Sequence, residues 1–190
     1  MQVDAYIHGR PRPGEVSSGD AGAVRTVEGV TWVLLVDALG HGPAAADTAA
    51  RAIDELGQFS AELSIEDAFA RLHARLSGSR GAAATLLRFA GRSLGFGGVG
   101  NVSLRTLAGA RVPFLAANGI LGWRSLHVRC GELELSGSGR LLLYTDGIAR
   151  APLDQLSSLS PEALCRVLVD AHSLAHDDAM VIHVGYSSAD

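Results

Sequence analysis

Five aspartates occupy positions where hard-cation chemistry is possible. Each lies where a turn meets a predicted strand end, and none belongs to a charged helix face. Mg²⁺ and Mn²⁺ prefer carboxylate, carbonyl and water oxygens, whereas the two cysteines and the scattered histidines have no zinc-ligand spacing. Each acid alone is more often a turn former, but jointly they favour a divalent-cation site. These acids are Asp20, Asp37, Asp146, Asp177 and Asp178.

Asp37 has the most informative surroundings. It follows the apolar run 33–36 and precedes a turn with two glycines, which predicts a strand buried on both faces. A carboxylate at the end of such a strand is unfavourable unless a cation compensates it. The chain has no lysine, and the nearest arginines, Arg25 and Arg51, are more than ten positions away. A metal ion would supply the charge; an equally open alternative is that Asp37 caps the following helix.

Apolar periodicity predicts the helices that must surround these acids. Pro43 is suited to a first helical position, and a small-residue stripe follows it. Ser64 and Asp67 predict a capping-box-like start of a second helix. Ser160 and Pro161 predict the start of the last helix.

The remaining segments predict strands. A hairpin is expected about Glu28 and Gly29, and an Asn118–Gly119 turn is expected between two short strands. We expect residues 82–89, 93–100 and 101–107 to form consecutive antiparallel strands. The other expected strands are 3–8, 112–115, 126–130, 140–144 and 179–184. Because strands and helices are segregated, the order favours an α+β domain with antiparallel sheets over a doubly wound fold.

The glycine-rich run 95–100 is not predicted to bind nucleotide phosphate. It lacks a following helix and a Lys-Ser/Thr ending. A strand that lets another backbone pack closely explains the glycines better.

Composition limits the classes of function. All sixteen basic residues are arginine and the net charge is −4, so we expect neither a nucleic-acid nor a membrane partner. No apolar run approaches the ~20 residues that span a bilayer, and no signal-peptide pattern is present. Cys130 and Cys165 are expected to be free thiols in a reducing cytoplasm. We expect residues 1–190 to form one domain.

Four segments carry a resemblance to a known family. Residues 18–20, 37–42, 144–147 and 177–180 read Ser-Gly-Asp, Asp-Ala-Leu-Gly-His-Gly, Tyr-Thr-Asp-Gly and Asp-Asp-Ala-Met. They resemble, in order and spacing, the metal motifs of the type 2C metal-dependent protein phosphatases. Within that family they are most similar to the bacterial SpoIIE branch, and the compact length resembles the RsbX-type phosphatases of stressosome signalling.

The resemblance implies a four-layer α-β-β-α sandwich of two antiparallel sheets flanked by helices. It also implies a site for two Mn²⁺ or Mg²⁺ ions, with Asp20, Asp37 and Asp146 as the catalytic acids. Asp37 would bridge the ions and the Ala38 carbonyl would ligate one of them. Asp20 would serve one ion, and Asp146 and Asp177 the other. Ala38 replaces the usual family glycine, which a carbonyl ligand tolerates unless the backbone needs a positive φ.

The implied activity is hydrolysis of phosphoserine or phosphothreonine by a water that two metals activate. The implied substrate is a phosphorylated STAS-domain or stressosome protein, and the enzyme is expected to be a cytoplasmic monomer. Two alternatives remain open at this point. The chain could be a degenerate binding module of the same fold, or a two-metal phosphoesterase for small molecules.

Overall fold

The computed structural model describes residues 1–149 and 151–188, which contain nine strands and four helices. In chain order these elements are β1 (Gln2–Arg10), β2 (Asp20–Val27), β3 (Val30–Ala38), α1 (Pro43–Leu56), α2 (Ile65–Arg75), β4 (Ala82–Ala90), β5 (Ser93–Val99), β6 (Ser103–Ala108), β7 (Arg129–Glu134), β8 (Ser138–Tyr144), α3 (Leu153–Leu156), α4 (Pro161–His172) and β9 (Ala179–Ser187).

The strands form two antiparallel sheets that stack between helices. One sheet has the order β1-β9-β8-β6 and the other β2-β3-β4-β5-β7. One apolar core lies between the sheets, a second between the five-stranded sheet and α1 and α2, and a third between the four-stranded sheet and α4. The predicted α-β-β-α sandwich is therefore confirmed. None of the helices in the described part of the chain is long and apolar enough to cross a membrane.

Strand β3 lies inside the five-stranded sheet and is buried on both faces, as its unbroken apolar run predicts. Val33 and Leu35 point into the core between the sheets, whereas Leu34 and Val36 point towards α1 and α2. Because successive side chains of a strand point to opposite faces, this one strand contributes residues to both cores. After Thr31 the strand has no ionisable side chain until Asp37, at the end where it leaves the core.

The helix starts follow the predicted capping chemistry. The Ser64 hydroxyl accepts a hydrogen bond from the Asp67 N–H at 3.0 Å, which satisfies one of the free donors at the start of α2. Helix α1 has Pro43 in its first turn, and its N-cap residue is Gly42 with a φ of 74°. Since no side chain caps α1, the alternative that Asp37 is a helix cap is wrong.

Three strand predictions are wrong. The expected strand 126–130 is not formed, because residues 126–128 lie outside any strand and Arg129 begins β7, which continues to Glu134. Strand β6 does not continue the β4–β5 meander but crosses to the other sheet and pairs with β8. Residues 112–115 form no strand, because their polar groups are satisfied locally: the Val112 N–H donates to the Thr106 hydroxyl and the Phe114 N–H to the Val112 carbonyl. The segment between β6 and β7 instead passes across β5, where Phe114 contacts Gly98.

The glycines of β5 permit close packing, although the partners are side chains and not another backbone. A Cβ on Gly97 would lie 2.7 Å from the Phe69 ring, and one on Gly95 would lie 2.9 Å from Ile65. Because both contacts come from α2, the glycines allow this helix to lie close to the sheet.

Candidate metal centre

The strand register brings acids from distant parts of the sequence to one end of the sandwich. Asp20 begins β2 and pairs directly opposite Asp37 of β3. Asp146 follows β8 and Asp177 precedes β9, and these two strands are neighbours in the other sheet. Each sheet therefore contributes two of the predicted acids to the same end of the fold.

Three of these acids line one open cavity of about 230 Å³. They are joined there by residues of the turn that follows β3, by Ala83 of β4 and by Asn101. Its lining is Asp37, Leu39, Gly40, His41, Ala83, Asn101, Asp146 and Asp177.

Asp20 lies behind this cavity and is only 5% exposed. The Thr145 hydroxyl donates to Asp20 Oδ2 at 2.7 Å and accepts from the Met180 N–H at 3.0 Å. Thr145 directly precedes Asp146. Residues 145–146 therefore hold an acid of the five-stranded sheet, Asp20, and also contribute Asp146 to the cavity. This supporting role of Thr145 was not predicted from the sequence.

Asp178 does not line this cavity, and its carboxylate instead accepts hydrogen bonds from backbone N–H groups. Its two carboxylate oxygens accept from the Gly19 and Arg12 N–H groups, each at 2.7 Å, and the residue is 3% exposed. It therefore holds the loop before Asp20 against the start of β9. A Cβ on Gly147 would lie 1.7 Å from the Asp178 carbonyl oxygen, so this position must be glycine for the two loops to meet.

Arg10 fixes the loop that carries Asp177. Its guanidinium donates to the Ser173 hydroxyl at 2.7 and 3.0 Å, to the Leu174 carbonyl at 2.8 Å and to the Asp177 carbonyl at 3.2 Å. Sequence reasoning missed this contact because the partners lie more than 160 positions apart and nothing local to Arg10 indicates them.

Two further side chains that the sequence did not single out contact the cavity. Asn101 donates from Nδ2 to Asp146 Oδ2 at 2.6 Å, which orients that carboxylate. The His41 Nδ1 lies 2.7 Å from Glu15 Oε1. This pair ties the turn after β3 to the loop that precedes β2.

The backbone at Ala38 accommodates its methyl group. Ala38 ends β3, its N–H donates to the Gly19 carbonyl at 3.0 Å, and Glu28 is the only non-glycine residue in the described chain with a positive φ. Alanine at the position of the family's usual glycine is therefore unstrained.

The acids lack cationic partners. Within residues 1–149 and 151–188, none of the ion pairs involves Asp20, Asp37 or Asp146. Burial, followed by repulsion from the nearby carboxylates, raises the pKa of Asp37 from 3.8 to about 8. Burial also raises the pKa of Asp20 to about 7, although the hydrogen bond from Thr145 lowers it. Without a cation, the cluster therefore retains protons near neutral pH.

The donor set fits a hard divalent cation that keeps part of its water shell. In the described residues, no group of three or more His, Cys, Asp or Glu side chains is close enough to hold an ion by itself. Mg²⁺ commonly retains several waters and needs only one or two carboxylates. Oxygen-only donors, uncompensated charge and an open cavity match that requirement.

Comparison with known proteins agrees with this architecture. The stage II sporulation protein E (SpoIIE) family matches residues 28–185. A chain from a structural study of the bacterial stressosome, described as a modular system adapted to control secondary messenger signalling, is 32% identical, with a TM-score of 0.87 over 97% of this chain and 100% of that chain. No curated protein sequence matches the chain.

More distant structures share the fold. RsbX, solved with magnesium, is 18% identical and superposes with a TM-score of 0.82 over 98% of this chain and 96% of its own. The catalytic domain of the serine/threonine phosphatase PstP, solved with two manganese ions, is 15% identical, with a TM-score of 0.73 over 98% and 99%. At these identities the similarity to RsbX and PstP extends to the fold alone.

The metal-free protein should lose stability as pH rises from about 4 to about 8. The unfolded acids titrate near 3.8, whereas Asp20 and Asp37 titrate near 7 and 8 in the folded chain, so the native state binds more protons over this range. At about 1.4 kcal/mol for each tenfold change in acidity, the loss should be several kcal/mol, with an upper limit of about 10 kcal/mol. Urea unfolding in EDTA at several pH values measures it. Asp37→Asn should flatten the dependence and the matched exposed-surface change Asp170→Asn should not; a flat wild-type curve would contradict the raised pKa values.

The two adjacent acids should differ in their effect on folding. Asp178→Ala leaves the Gly19 and Arg12 N–H groups without their acceptor, so it should lower the free energy of unfolding by about 2 kcal/mol or more. Asp177→Ala should change it by less than about 1 kcal/mol in EDTA, because this carboxylate accepts only the local Asp178 N–H. Chemical denaturation of both variants decides; a larger loss for Asp177→Ala would reverse the assignment.

Proposed function

The chain belongs to the SpoIIE family, and from this premise we propose that it is a divalent-metal-dependent protein serine/threonine phosphatase. The observation that carries the proposal is the convergence of Asp37, Asp146 and Asp177 on one open cavity, with Asp20 buried behind them. Such unpaired acids are unfavourable in a folded chain, and groups of this kind concentrate at functional sites.

We assign the ligands of two Mn²⁺ or Mg²⁺ ions to residues already in place. Asp37 would bridge the ions, Asp20 and the Ala38 carbonyl would serve one, and Asp146 and Asp177 the other. When bound, the ions would lower the pKa of water and offset charge on the attacking and leaving oxygens.

Other residues of the chain would hold this arrangement during turnover. Thr145 holds Asp20, Asn101 orients Asp146 and Arg10 fixes the loop of Asp177. Outer contacts of this kind normally affect metal affinity and activity by 10–100-fold. His41 lines the same cavity, and with Nδ1 held by Glu15 its Nε2 can carry the proton that a leaving serine or threonine oxygen needs.

The substrate proposed is a phosphorylated STAS-domain or stressosome protein. Its support is the 32% identity to a chain from a structural study of the bacterial stressosome, over the whole length of that chain. A cytoplasmic, monomeric phosphatase formed by residues 1–190 would suit such a partner.

Phosphate release tests the proposal. The protein should hydrolyse a phosphoserine protein or peptide with Mn²⁺ or Mg²⁺, and should do so poorly with Zn²⁺ or in EDTA, since the ligand set is all oxygen. Asp37→Asn and Asp146→Asn should each lower turnover by about 100-fold or more, because an outer contact already affects it by 10–100-fold. Asp170→Asn on the exposed side of α4 is the matched control and should retain activity.

Four results would contradict the proposal in different ways. Full activity after EDTA treatment would exclude the metals, and near wild-type turnover by Asp37→Asn would exclude its bridging role. Hydrolysis of small phosphoesters alone would indicate a small-molecule phosphoesterase. Binding of a phosphoprotein without turnover under all metal conditions would indicate a degenerate binding module.

A further inference from the structure

Three neighbouring cavities follow β6 away from the acids, and we call this row of cavities the groove. Asn101 lines both that cavity and a neighbouring one of about 310 Å³. Leu104, Arg105 and Phe114 line this second cavity and also a third, of about 510 Å³. The shared residues place the three cavities side by side, from the acids towards the far end of β6.

One wall of the groove is the edge strand of a sheet. Strand β6 is the last strand of its sheet and pairs with β8 on one side. The opposite wall is the irregular segment 111–116, which follows β6 without forming a strand in the described structure. An edge strand presents backbone donors and acceptors in a row, which suits an extended peptide.

The groove has the opposite charge to the cavity where it begins. Its second and third cavities are lined by Arg105 and Arg111 and by no acid. Neither arginine forms an ion pair with any residue that the structure describes. Leu115, which is 62% exposed, adds an apolar contact in the second cavity.

We propose that the groove formed by residues 103–116 binds an extended acidic segment of the phosphorylated partner, next to the residue that is dephosphorylated. The inference rests on the proposed function, because the phosphoester would occupy the adjoining acid-lined cavity. Strand β6 has six residues, so a segment of about six residues in extended conformation, roughly 20 Å long, would match it.

Charge complementarity favours a peptide over a polynucleotide. Two unpaired arginines beside an exposed leucine suit alternating acidic and apolar side chains, whereas the net charge of −4 opposes binding of a long polyanion. Arginine also forms bidentate hydrogen bonds with the carboxylates of such a segment.

Binding in EDTA tests the groove independently of catalysis. The probe is a fluorescent peptide of about twelve residues, rich in Asp and Glu, with alanine at the position of the phosphoresidue. Arg105→Glu combined with Arg111→Glu should weaken its binding at least tenfold at low salt, and added salt should weaken wild-type binding. Arg92→Glu is the control, because Arg92 is an exposed arginine on the β4–β5 turn that lines none of the three cavities, and it should change affinity less than twofold.

Kinetic measurements provide a second test of the groove. With Mn²⁺, the double variant should lose at least tenfold in kcat/KM for an acidic phosphopeptide and retain wild-type kcat/KM for p-nitrophenyl phosphate. A phosphopeptide with neutral flanks should be insensitive to the variants. If wild-type protein hydrolyses neither ester, the proposed function fails while the binding measurement still decides the groove.

Several outcomes would overturn the inference. They are unchanged peptide affinity in the double variant, an equal loss in Arg92→Glu, or equally tight binding of a single-stranded oligonucleotide. A thermal melt verifies that the double variant is folded. If it is not, Arg105→Gln and Arg111→Gln singly remove each charge, and unchanged peptide affinity in both would equally overturn the inference.

Discussion

Repulsion between carboxylates is the constraint on which this structure depends. The β2–β3 register places Asp20 directly opposite Asp37, and the end of β8 and the loop before β9 bring Asp146 and Asp177 towards the same cavity. Burial is the main cause that raises the pKa of Asp20 to about 7 and that of Asp37 to about 8, and this repulsion, which is less screened here than in water, raises both further. A divalent cation would offset this repulsion. The same clustering of carboxylates therefore accounts for the raised pKa values and for the proposed metal dependence.

The scaffold holds the acids without neutralising them. Arg10 is the cation that contacts the loop of Asp177. Its guanidinium donates to a hydroxyl and to backbone carbonyls, and in the described structure it forms no ion pair with the cavity acids. Asp178 receives backbone N–H groups, and Thr145 and Asn101 donate as neutral side chains. Because none of these contacts pairs a positive charge with a carboxylate of the cavity, the charge of these acids remains available to cations. The basic groove along β6 begins only beyond Asn101.

Local sequence patterns predicted the features that depend on interactions between residues close in sequence. The apolar run before Asp37 predicted a strand buried on both faces, and Ser64 with Asp67 predicted a helix start; both are confirmed. The transfer of β6 to the other sheet was not predictable, because pairing with β8 is decided by contacts across some forty residues. The Arg10 contacts with residues 173–177 were missed for the same reason. The roles of Asp20, Asp37, Ala38, Asp146 and Asp177 as ligands stay predictions, while their placement about one end of the sandwich follows from the strand register.

The most direct measurement is diffraction from crystals grown with Mn²⁺, recorded at the manganese absorption edge. If the uncompensated carboxylates form a metal centre, anomalous density should lie in the cavity lined by Asp37, Asp146 and Asp177, and it should disappear from crystals of Asp37→Asn. Manganese bound elsewhere on the protein, with this cavity free of anomalous density at saturating Mn²⁺, would contradict the account.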